Sequence, residues 1–138
     1  MTNTTVIQVR TEGRRAFIDI TRRVAEAVEK AAVRSGIVTV YVPHTTAGVT
    51  VNENADPSVV ADILRRLEEL APDDGPWTHL EGNSPAHVMA ALVGCSVTVP
   101  VVEGRPALGR WQGIFLAEFD GPRTRQVLVT VLGQTRDR

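Results

Sequence analysis

The chain has 138 residues, 43% of them hydrophobic and 22% charged, with a formal net charge of -1. Composition and length exclude disordered, collagen-like and low-complexity chains and predict a single domain over residues 1–138. No positive excess draws nucleic acid or an anionic membrane surface, and the one cysteine, Cys95, rules out an intrachain disulfide and a Cys-rich zinc site.

Residues 1–10 lack a basic segment followed by an apolar one, and no run approaches ~18 apolar residues, so a cytoplasmic protein without a membrane span is expected. Residues 6–9 and 16–20 predict two strands joined by a turn at Glu12-Gly13. Ile20, Val24, Ala27, Val28 and Ala31 recur at helical spacing, and Gly36 is the expected stop. Residues 37–42 and 47–52 predict strands, with His44-Thr45-Thr46 between them. Asp56-Pro57 opens a second helix, an acidic cap followed by proline at the first helical position. Its predicted buried stripe is Val59, Val60, Ile63, Leu64, Leu67 and Leu70, and residues 72–76 end it. A third, short helix is expected over 85–93, capped by Asn83 or Ser84 and closed by Gly94. Residues 96–102, 107–119 and 125–132 complete the strands. Strands outnumber helices and short turns join several neighbours. The expected fold is therefore α+β, a compact domain with a mainly antiparallel, β-sandwich-like sheet and about three helices.

All three histidines, His44, His79 and His87, lie between Pro43 and Val88. His87 falls in the first turn of the third helix, where backbone N–H groups and the helix dipole favour the neutral, metal-binding imidazole. His79 precedes the Leu80-Glu81-Gly82-Asn83 loop, which can bend the two rings together, and His44 leaves a strand end. Three imidazoles with one open position make a catalytic zinc arrangement. Their spacing is no standard motif, so three unrelated histidines at element boundaries is the competing reading.

Glu53, within Asn52-Glu53-Asn54-Ala55-Asp56, is a candidate general base or partner to a histidine, whereas Asp56 reads first as a cap. Alternation puts Glu118 and Asp120 on one strand face, opposite Phe119. There they bind Mg²⁺, hold an arginine or form a solvated strand end. Arg123, after Gly121-Pro122, forks onto a phosphate or stays a solvated turn residue. Trp111 reads as core or interface packing and Cys95 as a small buried residue.

The runs His44-Thr45-Thr46-Ala47, Asn52-Glu53-Asn54-Ala55-Asp56, His79-Leu80-Glu81-Gly82-Asn83, Ala86-His87, Leu108-Gly109-Arg110-Trp111-Gln112 and Glu118-Phe119-Asp120-Gly121-Pro122-Arg123 resemble, in order, the YjbQ-like family, commonly labelled secondary thiamine-phosphate synthase. The resemblance implies a β-sandwich-based α+β unit assembled as a homotrimer, with motif residues in a cleft near a subunit boundary. It implies a divalent metal, zinc first, on His44, His79 and His87, with Mg²⁺ suited to a diphosphate substrate. Asn52, Glu53, Asp56, Asn83, Trp111, Gln112, Glu118, Asp120 and Arg123 match the other motif positions, and Arg110 departs from the small or hydroxylic residue expected before Trp111. The labelled activity joins a pyrimidine diphosphate to a thiazole phosphate and releases pyrophosphate, which needs a metal and cationic donors.

The resulting expectation is a metal-dependent enzyme acting on a small phosphorylated molecule. Glu53 and Glu118 are its candidate catalytic carboxylates. Asn52, Asn83, Ser84, Gln112, Asp120 and Arg123 are its substrate-binding set, the start of the third helix adding backbone donors. A non-catalytic trimer that binds a metal or a phosphometabolite is one alternative. A structural trimer whose polar cluster ties subunits together is the other.

Overall fold

The structure is a computed structural model that describes residues 2–135. In chain order the elements are β1 (Thr2–Arg10), β2 (Ala16–Asp19), α1 (Thr21–Ala31), β3 (Val33–Tyr41), β4 (Ala47–Glu53), α2 (Pro57–Leu70), α3 (Ser84–Val93), β5 (Ser96–Val102), β6 (Arg105–Pro106), β7 (Gln112–Glu118) and β8 (Thr124–Thr135). A five-stranded sheet runs β1-β8-β3-β5-β6 and a three-stranded sheet β2-β7-β4, with every pairing antiparallel. The fold is α+β, as expected.

The two sheets face each other. Val38, Val40 and Val129 of the large sheet meet Val49, Ile114 and Leu116 of the small one, with Val24 and Val28 of α1 closing the core. The other face of the small sheet carries Ala117, which packs with Phe119 against Leu67 of α2 and Met89 and Ala90 of α3. β7 is thus covered on both sides, and residues 113–118 are all buried. A strand covered on both faces has no solvent side on which to place a polar residue cheaply.

Three local expectations change. First, β1 and β2 form no hairpin. The Thr11 N–H donates to the Arg123 carbonyl at 2.8 Å and the Gly121 N–H to the Arg14 carbonyl at 2.9 Å, so the connecting loop docks on the β7–β8 turn. Second, Gly36 does not stop α1; Ala32 does, in the left-handed region at φ 57°, and β3 starts at Val33. Gly36 sits inside β3 opposite Gly133, where a Cβ would meet the Leu132 carbonyl oxygen at 2.0 Å. Third, the predicted strand over 107–119 is broken. Gln112 turns back on Gly109, its side-chain oxygen accepting from the Gly109 N–H at 2.7 Å, and β7 begins only there.

The Asp56 carboxylate caps α2 by accepting from the Ser58 N–H at 2.9 Å, with Pro57 at the first position. Of the predicted α2 stripe only Leu67 is fully buried, while Leu70 is 54% exposed. No helix is long and apolar enough among the described residues to cross a membrane.

Candidate functional site

The site is built on the β7–β8 turn. Glu118, at the end of β7, has no exposed surface. Its Oε1 accepts from the Thr11 hydroxyl at 2.8 Å and from Arg125 Nε at 2.9 Å. Its Oε2 accepts from Arg125 Nη2 and from the Asp120 N–H. Burial pushes the Glu118 carboxyl up, but the bonds from Arg125, the Asp120 amide and Thr11 outweigh it and hold it below the usual glutamate value. One of the two expected catalytic carboxylates is therefore half of a buried ion pair. Both oxygens are spent, and the arginine it holds is Arg125. Arg125 Nη2 also reaches the Thr46 hydroxyl at 2.8 Å and the Thr46 carbonyl at 3.1 Å.

Above this pair the turn is tied down. The Thr11 hydroxyl accepts from the Arg123 N–H at 2.9 Å. A Cβ at Gly121 would come within 2.3 Å of the Gly13 carbonyl oxygen, so only glycine lets the two loops meet. Arg123 Nε donates to the Asp120 carbonyl at 2.8 Å and Nη2 to Asp120 Oδ2 at 3.3 Å. Asn83 Nδ2 donates to the same Oδ2 at 3.0 Å. Asn83 sits at the N-cap of α3 but makes no side-chain cap bond, because its amide is turned to Asp120. Its Oδ1 is buried and has no partner among the described residues.

These groups border a cleft with two arms. One, of about 490 Å³, is lined by Thr45, Glu81, Asn83, His87, Asp120 and Arg123. The other, of about 540 Å³, is lined by His44, Thr45, Thr46, Cys95, Arg123 and Arg125. A smaller hollow of about 350 Å³, holding Trp77, His79 and Ser84, adjoins the first arm at His87.

Two of the three histidines come together. The His79 and His87 ring centroids are 5.3 Å apart with planes at 88°. Two imidazoles on one tetrahedral zinc at ~2.0–2.1 Å have centroids roughly 5 Å apart, so the ring separation, which is also that of an edge-to-face contact, is compatible with two positions of such an ion. His79 Nε2 also lies 3.2 Å from Glu81 Oε1. Among the described residues no three His, Cys, Asp or Glu side chains are grouped to hold a metal. The three-imidazole set does not form, because His44 is engaged elsewhere. His44 Nε2 accepts from the Gln126 N–H at 2.9 Å, which leaves the proton of the neutral ring on Nδ1. Burial and the Arg125 charge hold the His44 pKa below the ordinary histidine value.

Three predicted residues lie elsewhere. Asn52, Glu53 and Gln112 sit at the far end of the small sheet, where Glu53 pairs with Gln112. The seven residues of β4 separate that end from Thr46 by roughly 20 Å at ~3.3 Å per residue. The Asn52 side chain accepts from the Glu53 N–H at 2.7 Å. Trp111 lies beside them, 57% exposed rather than packed in the core, with the Arg110 guanidinium 5.2 Å from its ring centre. Cys95 is exposed, not buried. Conversely Thr11, Thr46, Glu81 and Arg125 belong to the site and went unread. For Arg125 a signal existed: it shares an inward strand face with Val127, Val129 and Val131.

The family model described as "UPF0047 protein YjbQ-like" matches residues 5–134. The chain belongs to this family. A YjbQ-like relative from Methanocaldococcus jannaschii, a UPF0047 protein, is 52% identical over 126 residues, covering 91% of each chain. YugU of Bacillus subtilis is 47% identical, covering 92% of this chain and 97% of its own. The crystal structure of a YjbQ/UPF0047 protein from Clostridium acetobutylicum superposes with a TM-score of 0.91 at 46% identity, covering 93% of this chain and 99% of that one. A YjbQ-like protein of Sulfolobus solfataricus superposes at 0.94 with 35% identity, covering 97% and 99%.

In this YjbQ-like chain the two arms of the cleft differ in charge. Glu81 and Asp120 line the arm that holds His87, whereas among the described residues no carboxylate lines the arm that holds His44.

Proposed function

We propose that the protein is a metal-dependent enzyme acting on a small phosphorylated metabolite held in this cleft. The observation that carries the reading is the orphaned Asn83 Oδ1. A buried acceptor left unpaired costs ~1–3 kcal/mol, a cost removed when a bound N–H or O–H donates to it. Its amide orientation is set by Asp120, whose Oδ2 is occupied by Asn83 and Arg123 while Oδ1 has no partner among the described residues. Asp120 therefore takes the proton-accepting role expected of Glu53 or Glu118. Arg123, fixed by Asp120, offsets phosphoryl charge.

His79 and His87 would hold the divalent ion, zinc first and Mg²⁺ for a diphosphate substrate. When bound, the ion supplies Lewis-acid polarisation of a phosphoryl oxygen. The reaction in the family label, pyrimidine diphosphate plus thiazole phosphate with release of pyrophosphate, is one member of this class and the first to assay.

Self-association belongs to the same reading. On the outer face of the large sheet the cross-strand rows are Val6, Leu128 and Tyr41; Thr4, Thr130, Thr39 and Thr98; and Leu132, Ile37 and Pro100. None is charged, and Val6, Ile37, Tyr41 and Leu132 are each at least 39% exposed. A sheet face of this kind supports burial against other copies of the chain. The resemblance supplies the number, a homotrimer.

The test is a panel of phosphorylated metabolites offered to metal-loaded protein. Turnover of a panel member, lost by a factor of ~100 or more in Asp120→Asn while binding persists, is the expected result. Withdrawal of Glu118 and Glu53 from the cleft favours a second reading, a binding protein without turnover. Tight ligand retention with no product across the panel would select it.

A further inference from the structure

We infer that the arm of the cleft lined by His44, Thr46, Arg123 and Arg125 is a subsite for a tetrahedral oxyanion, a phosphate group, in which His44 is a neutral hydrogen-bond donor and not a metal ligand. The assignment rests on the reading of a phosphorylated ligand and says where its phosphate sits.

The first ground is how the two arginines are held. Arg125 spends Nε and Nη2 on Glu118 and Thr46, and Arg123 spends Nε and Nη2 on Asp120. In both, Nη1 has no partner among the described residues, and both side chains line this one arm. Arg125 is only 2% exposed, yet its Nη1 is not itself enclosed: it keeps contact with solvent on the side of this arm, where a ligand can reach it. Each carboxylate sits on the far edge of its guanidinium. It fixes the plane of the donor fork and lines no part of this arm.

The second ground is the polarity of the remaining wall. Thr46 accepts from Arg125, which leaves its own O–H to donate. His44 accepts at Nε2 from the Gln126 N–H, so Nδ1 carries the proton and offers a donor. A metal ligand must present an unprotonated nitrogen, and the one His44 has is already taken. Phosphate, anionic and rich in acceptor oxygens, matches the donors that Arg123, Arg125, Thr46 and His44 present to this arm. Glu81 and Asp120 line the other arm, so this arm is the one that offers an anion cationic donors with no carboxylate on its wall among the described residues.

The test uses the intact isotope-labelled protein and two separate probes, inorganic phosphate and zinc alone, followed by NMR. Phosphate is expected to shift the His44 ring and the Thr45 and Arg123 amides. Its dissociation constant should rise about tenfold or more in His44→Leu and in Arg123→Gln, about 1.4 kcal/mol or more. Arg105→Gln, which removes an arginine elsewhere, should leave it unchanged, and His44→Gln should recover part of the loss. Zinc should broaden the His79 and His87 ring signals and spare His44, whose ring nitrogen shifts should report a proton on Nδ1. That last measurement is made on the unmodified chain and does not depend on how a variant folds. Zinc broadening of His44, a proton on Nε2, or phosphate affinity unaffected by both substitutions would overturn the assignment. None of these readouts uses turnover, so a protein that proves inactive leaves the subsite standing, and loss of the phosphate response leaves the enzyme reading standing.

Discussion

Glu118 and Arg125 face each other across the β7–β8 turn as a buried ion pair, with relative exposures of 0% and 2%. Three residues around the cleft are anchored to it: Thr11 and Asp120 through Glu118, Thr46 through Arg125.

Removing one charge strands the other. Glu118→Gln is expected to lower stability by ~3–5 kcal/mol, read from urea unfolding, because a buried uncompensated guanidinium remains. The pH dependence has a definite sign. The folded carboxyl has a pKa below its unfolded value of about 4.5, so its contribution is complete above that value and is lost as pH falls through the folded pKa. Wild-type stability should therefore fall below about pH 4.5, and the variant should lose that part of the acid response.

Thr11→Val keeps the shape and deletes the hydroxyl. Glu118 Oε1 loses one donor and the Arg123 N–H loses its acceptor. The expected cost is ~1–3 kcal/mol in the same unfolding experiment, with faster hydrogen exchange at the Arg123 amide.

The histidines should separate in a zinc titration followed by calorimetry. His79→Ala and His87→Ala each remove one of the two adjacent rings proposed to hold the ion and should weaken zinc binding at least tenfold. His44→Ala should change zinc affinity little, since its Nε2 is occupied by Gln126.

Ile37 and Leu132 are direct cross-strand neighbours on the uncharged outer face of the large sheet. If that face joins the copies of a trimer, Ile37→Arg should lower the sedimentation mass from trimer to monomer while circular dichroism stays that of a folded chain. A monomeric wild-type protein would remove the proposal of self-association.

At the α2 cap, Asp56→Ala should cost ~1 kcal/mol and leave the cleft untouched, because this carboxylate bonds only the start of its own helix. An equal loss of phosphate binding would show that the carboxylate reaches further than its own cap.

Local chemistry was readable wherever it was decided locally. Asp56-Pro57 started α2, Gly94 followed α3, and the alternation of Val38, Val40, Val127, Val129 and Val131 marked strands of a two-layer α+β fold. His87 in the first turn of α3, with His79 one loop earlier, was readable as a pair for the same reason: a short loop and a helix start fix their separation.

The rest was settled by packing between distant segments. Alternation placed Glu118 and Asp120 on one face of a strand, but that pattern marks a solvent side only when one face is bare, and β7 is covered by a sheet on one side and helices on the other. Glu118 was thereby buried and needed a cation, which Arg125 supplied. His44 could join the other histidines only if its strand end turned toward α3, and the Gln126 N–H held it at β8 instead. Asn52, Glu53 and Gln112 shared a motif order with the site residues but lie one strand length away, a distance that the order of residues along a chain does not encode. The sequence by itself determined the family, the fold class and the inventory of polar groups, because these follow from local pattern. Which groups are paired, buried or left open to a ligand was decided only when β1, β4, α3 and β8 met around a single turn.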